Sequence, residues 1–373
     1  MFKFQMAGGR AIGAIAMAMI LGGCGSAGHN VSLGPSPAAS PVVSDPRLVI
    51  ADQVDPGAVN FSAAEVRLMK LDGTVAASVR GQYVGIVGAT VIVLEGESLK
   101  ALDRSGSVRQ LGNVAGQGGW AAGTVVVKPD LTQWIYVMHD ADWTARVHLG
   151  TPTSDSVVAT LRAPDVSSTY RPFAWNAGGI YMIRQDIGLG GAGPFLEYQE
   201  RLARFDLTRG TVADVSPDCR VYRVLDDGTM FCRPLSLPGR IEVRSPSGHS
   251  SLIQLSRGAS GYSYDTAYIR VAVSDDGKRL MAGRDGSADP VINYQIVIVD
   301  LTTSSVNVFA SLDYLPDTWL PDGRVVADHW CAQGFGNTGA CDASLNGTYV
   351  LSADGASHSL LMLVSTAAVV GSV

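Results

Sequence analysis

Charge is scarce in this chain. Asp, Glu, Lys and Arg make up only 17% of its 373 residues, and they leave a net charge of −6 with no basic stripe. That balance excludes the electrostatic footprint of a nucleic-acid binder. Metal-site spacing is missing as well: no C-x-x-C occurs, and no histidine stands at a ligand offset from the cysteines. No G-x-S-x-G is found, so a hydrolase nucleophile elbow is unsupported. Nor does any apolar run reach the roughly 20 residues that span a bilayer. Helix signals are nearly absent, since 43 glycines and many β-branched runs leave no room for a hidden helical domain. The reading therefore calls for no metal, no cofactor and no catalytic constellation.

What is present begins with an export segment. Lys3 and Arg10 precede the uncharged apolar run Ala11–Leu21, which is too short for an anchor helix and reads as a signal. Its ending, Leu21-Gly22-Gly23-Cys24, resembles the lipobox of bacterial lipoproteins. That resemblance implies acylation of Cys24, removal of residues 1–23 and membrane attachment through an N-terminal lipid. The alternative is an ordinary secretory signal with an incidental cysteine. Gly25 stands where inner-membrane-retained lipoproteins carry Asp, so in a host with two membranes the implied address is the periplasmic face of the outer one. Residues 24–46 are mostly Gly, Ser, Ala and Pro with almost no charge, which makes them a flexible tether.

From Glu65 to Leu363 one figure recurs seven times: an apolar strand, a tight turn, and another apolar strand. The copies are 66–79, 99–111, 145–161, 202–215, 241–255, 296–312 and 348–363. A hairpin cannot bury its apolar face alone, so each must pack on the next copy. A second strand pair precedes each hairpin, and five of these pairs carry a recognisable turn, at 125–138, 173–184, 221–232, 271–283 and 318–328. Their Asp-Gly, Asn-Ala-Gly and Pro-Asp-Gly dipeptides and tripeptides supply the backbone conformations of tight hairpins. The expectation is an all-β fold, a single β-propeller of four-stranded antiparallel blades over residues 47–373. Seven blades fit the spacing best, with six or eight as alternatives. Blade one lacks an innermost strand, and Ala367–Val370 is the candidate to supply it by pairing with Leu48–Ala51.

The segment VSDDGKRLM (273–281), followed by QIVIVDL (295–301), resembles the repeat of TolB-type, WD40-like (PD40) propellers. WLPDGRVVA (319–327) and KPDLTQWIYV (128–137) are similar to it too. The outer strands lack the terminal tryptophan of quinone-dependent dehydrogenase propellers. Gly188–Gly193 matches G-x-G-x-x-G, but the antiparallel repeat around it is not the βαβ unit that dinucleotide binding needs.

With Cys24 lipidated, four cysteines remain. Cys219–Cys232 and Cys331–Cys341 are the expected local disulfides of an oxidising compartment, against the alternative of four free buried thiols. In a propeller the turns alternate between two faces. One set here is short, and the other is long and irregular: His139–Thr144, Gln185–Arg201, Pro234–Arg240, Arg284–Tyr294 and His329–Gly347. Long loops on a rigid scaffold are where binding residues concentrate. The candidate binding face accordingly comprises His139, Asp140, Asp142, Trp143, Arg284, Asp285, Asp328, His329 and Trp330, although a solvated loop with a packed tryptophan would read the same way. The function expected is a monomeric, non-catalytic envelope protein that binds a protein partner or small ligand. The alternative is a propeller lyase or hydrolase acting on an envelope or extracellular saccharide.

Overall fold

The computed structural model describes residues 45–52, 64–116, 125–164, 168–186, 201–216, 218–234, 240–254, 268–285, 294–312, 314–329, 343–363 and 367–373. All belong to the unit Val42–Val373. The export segment, Cys24 and most of the tether lie outside them. Among the described residues no helix is long and apolar enough to cross a membrane.

Seven four-stranded antiparallel sheets stand in sequence order. Blade 1 contains β1 (Leu48–Asp52), β2 (Glu65–Met69) and β3 (Val75–Arg80). Blade 2 is β4 (Gln82–Val87), β5 (Thr90–Glu95), β6 (Ser98–Asp103) and β7 (Val108–Asn113). Blade 3 is β8 (Val125–Val127), β9 (Trp134–His139), β10 (Ala145–Gly150) and β11 (Asp155–Leu161). Blade 4 is β12 (Ser168–Asn176), β13 (Gly179–Asp186), β14 (Arg201–Asp206) and β15 (Thr211–Ser216). Blade 5 is β16 (Cys219–Val224), β17 (Met230–Pro234), β18 (Arg240–Arg244) and β19 (Ser250–Gln254). Blade 6 is β20 (Tyr268–Val273), β21 (Arg279–Asp285), β22 (Tyr294–Asp300) and β23 (Ser305–Leu312). Blade 7 is β24 (Tyr314–Trp319), β25 (Val325–His329), β26 (Gly347–Leu351) and β27 (His358–Leu363). The seven repeated hairpins of the sequence are the outer strand pair of each blade.

The innermost strand of blade 1 comes from the other end of the chain. β28 (Ala367–Ser372) pairs antiparallel with β1, with Ile50 opposite Val369 and Asp52 opposite Ala367. Arg47 and Val373 exchange both backbone hydrogen bonds, at 3.0 and 2.8 Å. The ring is thereby closed, and blade 1 gains its fourth, innermost strand.

Burial follows from stacking blades face to face. The second strand of each blade has a neighbour on both sides, so β5 reads TVIVLE and β9 WIYVMH with no polar alternation. In β13, Ile180 and Met182 join the core shared with blade 3, while Tyr181 and Ile183 join the core that includes Cys219 and Cys232 of blade 5. Outer strands revert to alternation and leave Val75, Val108, Val157, Leu252, Val306 and Leu360 exposed. Polar contacts tie blade to blade. The Arg223 guanidinium donates to Val273 O at 2.6 Å, the Trp319 indole to Ala272 O at 3.2 Å, and the Asn176 amide to Leu225 O at 2.9 Å. Gly81 alone links β3 to β4, at φ +131°, and a Cβ there would lie 2.6 Å from Leu94 O.

Cys219 and Cys232 form a disulfide with Cα atoms 5.7 Å apart. A bulge places Val221, not Cys219, opposite Cys232, so the bridge runs diagonally across β16 and β17. Closing a loop of sequence separation 13 stabilises by roughly 3 kcal/mol. Cys331 and Cys341 lie outside the described residues.

Removal of residues 367–373 should leave β1 with one bare edge and blade 1 without its axial strand. The expected result is loss of a single cooperative unfolding transition, with hydrogen exchange accelerating first in β1 and β2. Retention of wild-type protection there would show that closure does not carry the ring.

Candidate binding face

The links fall into two sets, one on each face, but the expected difference in length does not hold in blade 5, whose 235–239 link is no longer than its 225–229 and 245–249 links on the other face. On one face none is longer than six residues, the longest being 128–133 and 352–357. On the other stand the 53–64, 187–200, 235–239, 286–293 and 330–346 links within blades, and 114–124 and 255–267 between them. Between blades the links 81, 217–218, 313 and 364–366 are short too, and within blades two links on that face are tight: 96–97 in blade 2 and 140–144 in blade 3. The second corrects the expectation of a long irregular loop from His139 to Thr144. Asp140 N–H donates to Thr144 O at 3.0 Å and Trp143 N–H to Asp140 O at 2.9 Å, which closes a compact turn.

Each polar member of that turn has a structural partner. The His139 ring uses Nε2 against Tyr170 O of blade 4 at 3.0 Å, which ties blade 3 to blade 4. Asp140 pairs with Arg146 at 2.5 Å, and Asp142 with Arg162 at 3.0 Å. The hydroxyl and backbone N–H of Thr144, with Arg162 beyond them, hold the Asp142 carboxyl below its usual range. Trp143 differs from these. Its carbonyl accepts from Thr169 Oγ1 at 3.0 Å, and its ring lies 5.9 Å from that of His139. Yet the residue is 50% exposed and its φ is +61°. A bulky residue in the left-handed region stores about 1–2 kcal/mol of strain.

The second candidate cluster sits on blade 7. Thr348 Oγ1 donates to Asp328 Oδ1 at 2.7 Å. His329 is 6% exposed and packs edge-on against Tyr314, with ring centroids 5.1 Å apart. Its Nδ1 is buried without a hydrogen-bond partner. His329 is therefore part of the blade interior at the loop-rich end rather than a surface contact. Arg284 and Asp285 end β21, opposite Gln295 and Tyr294. Trp330 lies outside the described residues, as does Gly188–Gly193.

Other groups were not singled out by sequence reasoning. The Tyr136 hydroxyl accepts from Ala115 N–H at 3.3 Å and donates to Asp155, while His148 stacks on the ring at 4.6 Å. Burial and the Asp155 hydrogen bond push the phenol well above its ordinary pKa. This fully buried group links blade 3 to the segment leaving blade 2. Cys219, Cys232 and Glu242 meet in a form that a metal would need, but the two sulfurs are bonded to each other and Arg244 forks onto both Glu242 oxygens at 3.1 and 3.0 Å. On the short-turn face a cleft of about 320 Å³ opens between blades 5 and 6, with Asp227, Asp276 and Lys278 around apolar Phe231 and Leu301.

No family model matches the chain, and no curated protein matches it. Solved structures do. TolB from Acinetobacter baumannii is 15% identical, with 86% of this chain and 81% of that one covered at a TM-score of 0.42. Virginiamycin B lyase from Staphylococcus aureus is 10% identical over 77% and 86%, at 0.41. The β-propeller domain of the Trilobed protease from Pyrococcus furiosus is 12% identical over 86% and 97%, at 0.47. The assignment as a seven-bladed propeller rests on the sheet topology itself.

Trp143→Gly should test the strain directly. Glycine populates φ near +60° freely, so the variant should be at least as stable as wild type, by up to about 1 kcal/mol after loss of the ring contact with His139. A clear drop in the denaturation midpoint would mean that Trp143 is there for packing.

Proposed function

We propose that this chain is a non-catalytic β-propeller, held at the cell envelope by a lipid on Cys24, which binds a protein or small ligand through its loop-rich face. Trp143 carries the reading. A half-exposed indole in a strained backbone conformation, braced from below by blade 4, contributes little to the core. Leu131 and Ser304 adopt the same left-handed conformation in short turns of the other face, so the reading rests on the half-exposed indole itself, exposed tryptophan being a common anchor of binding surfaces.

Catalysis on a saccharide would require the acidic and imidazole groups to converge on one point. Instead His139 ends on Tyr170, Asp140 on Arg146, Asp142 on Arg162 and Asp328 on Thr348. These are blade-building contacts, and they favour a binder over a lyase or hydrolase.

A photo-crosslinking amino acid in place of Trp143 should capture one discrete species in intact cells, and the same residue in place of Asp130, in a short turn of the same blade, should not. Equal capture from both positions, or from Asp130 alone, would overturn the reading. For the anchor, Cys24→Ser should move the protein from the membrane fraction to the soluble one or leave it unprocessed. Identical partition of both forms after processing would remove the lipid from the account.

A further inference from the structure

At the junction of blades 5 and 6 the apolar packing stops short of the short-turn face. Phe231 and Ile253 of blade 5 share a core with Leu280, Val297 and Val299 of blade 6, and Leu225, Val243 and Leu301 cover it only in part. Over this apolar floor opens the cleft of about 320 Å³. Its inner end is shut: Gly277, at φ +66°, brings the blade 6 turn so near that a Cβ there would lie 2.5 Å from Leu225 Cδ1. Both flanking turns are closed by their own backbone. Gly228 N–H donates to Leu225 O and Gly277 N–H to Ser274 O, each at 2.9 Å. Leu301 N–H donates to Lys278 O at 2.8 Å and ties the outer turn of blade 6 to the inner one. The walls are therefore formed before any ligand arrives.

The rim carries both signs of charge. Asp227 stands on the blade 5 turn, with Asp276 and Lys278 on the facing turn of blade 6. Asp276 accepts from Ser274 Oγ at 2.6 Å and from Lys278 N–H at 3.0 Å, both on Oδ1. Among the described residues no donor meets its Oδ2. Burial works to raise the pKa of this carboxyl, but the Ser274 hydroxyl and the Lys278 N–H prevail and hold it below its usual range. Asp227 accepts Thr229 N–H at 2.8 Å on one oxygen and Thr229 Oγ1 at 3.0 Å on the other. A carboxylate offers about four acceptor sites, so both aspartates keep capacity for a further donor. Among the described residues the Lys278 ammonium has no hydrogen-bond or ion-pair partner.

An anion in this cleft would meet two carboxylates, and a simple cation would meet Lys278. A zwitterion satisfies both. We propose that the cleft between blades 5 and 6 binds a free apolar α-amino acid, its ammonium shared by Asp227 and Asp276, its carboxylate on Lys278 and its side chain on Phe231, Ile253 and Leu301. An ammonium has three donors, enough for both aspartates. The cavity lies at the lower end of the roughly 300–1,000 Å³ usual for ligand sites, which suits a molecule of this size. The site is on the face opposite Trp143 and does not depend on the loop-rich face being a binding surface.

The test is calorimetric titration of the full-length protein with L-leucine and, separately, L-phenylalanine at constant pH and ionic strength. At least one should bind saturably. Phenethylamine, which lacks the carboxylate, and 3-phenylpropionate, which lacks the ammonium, should each bind at least tenfold more weakly than phenylalanine. Asp276→Asn, which keeps an acceptor for the turn but loses the charge, should weaken amino-acid binding about tenfold or more. Lys278→Gln should cost about as much, and it is the folded variant if the Asp276 form is unstable, because the Lys278 side chain is exposed. Asp354→Asn, a turn aspartate of blade 7 that also accepts from its own turn, should have no effect. Absence of saturation by both amino acids would overturn the proposal. So would phenethylamine binding as tightly as phenylalanine, or equal loss in the Asp276 and Asp354 variants.

Discussion

Pairing between β1 and β28 is the constraint on which the rest of the molecule depends. Every other blade takes its four strands from one continuous stretch of chain, and blade 1 does not. Without the five partnered residues from Leu48 to Asp52, blade 1 would lack its innermost strand and the ring would stay open. With them, each second strand is covered on both faces, and near-continuous apolar sequence becomes affordable in β5, β9 and β13. The contacts from Asn176, Arg223 and Trp319 then fix the angular step between neighbours. Because the scaffold is over-determined in this way, one face can carry long links without loss of the fold.

The same economy explains the opposite face. Asp-Gly and related turns there are closed by local hydrogen bonds, such as Thr74, Thr229 and Arg324 donating their backbone N–H to the aspartate two residues before. The Asp130 carboxyl, next to the Lys128 ammonium and the Thr132 hydroxyl, is drawn down to a pKa of about 2. These turns satisfy themselves, and most of their carboxylates are already engaged. Blade 3's far end differs in leaving the Trp143 side chain half-exposed, although its left-handed backbone is shared by Leu131 and Ser304 in short turns of the opposite face.

Much of this was legible from residues alone. The period-two strands, the Asp-Gly punctuation and the outer hairpins are local signals, and local signals survive translation into structure. The closing strand was legible because AAVV (367–370) is apolar and otherwise unused, and a ring has one vacancy. The diagonal disulfide was readable in its partners but not in its register, since the bulge beside Val221 shifts the pairing. Other features depend on three dimensions. The compactness of 140–144 comes from backbone hydrogen bonds that its composition does not specify. The burial of His329 comes from Tyr314 on the neighbouring strand. Leu225 and Gly277 are remote in the chain, and only the packing of blade 5 on blade 6 brings them together.

The closing strand also sets an order in time. Leu48 finds Ser372 only after every intervening blade has been synthesised, so the most non-local contact of the fold is also the last that can form. Contacts between neighbouring blades are available throughout, whereas the seam must wait, and long-range strand pairing is slow. Until it forms, β1 is an unpaired edge on a nearly complete β-structure, the kind of surface that recruits strands from other molecules. A chain built this way benefits from assembling alone, with its first strand kept out of reach of neighbours until its last has arrived.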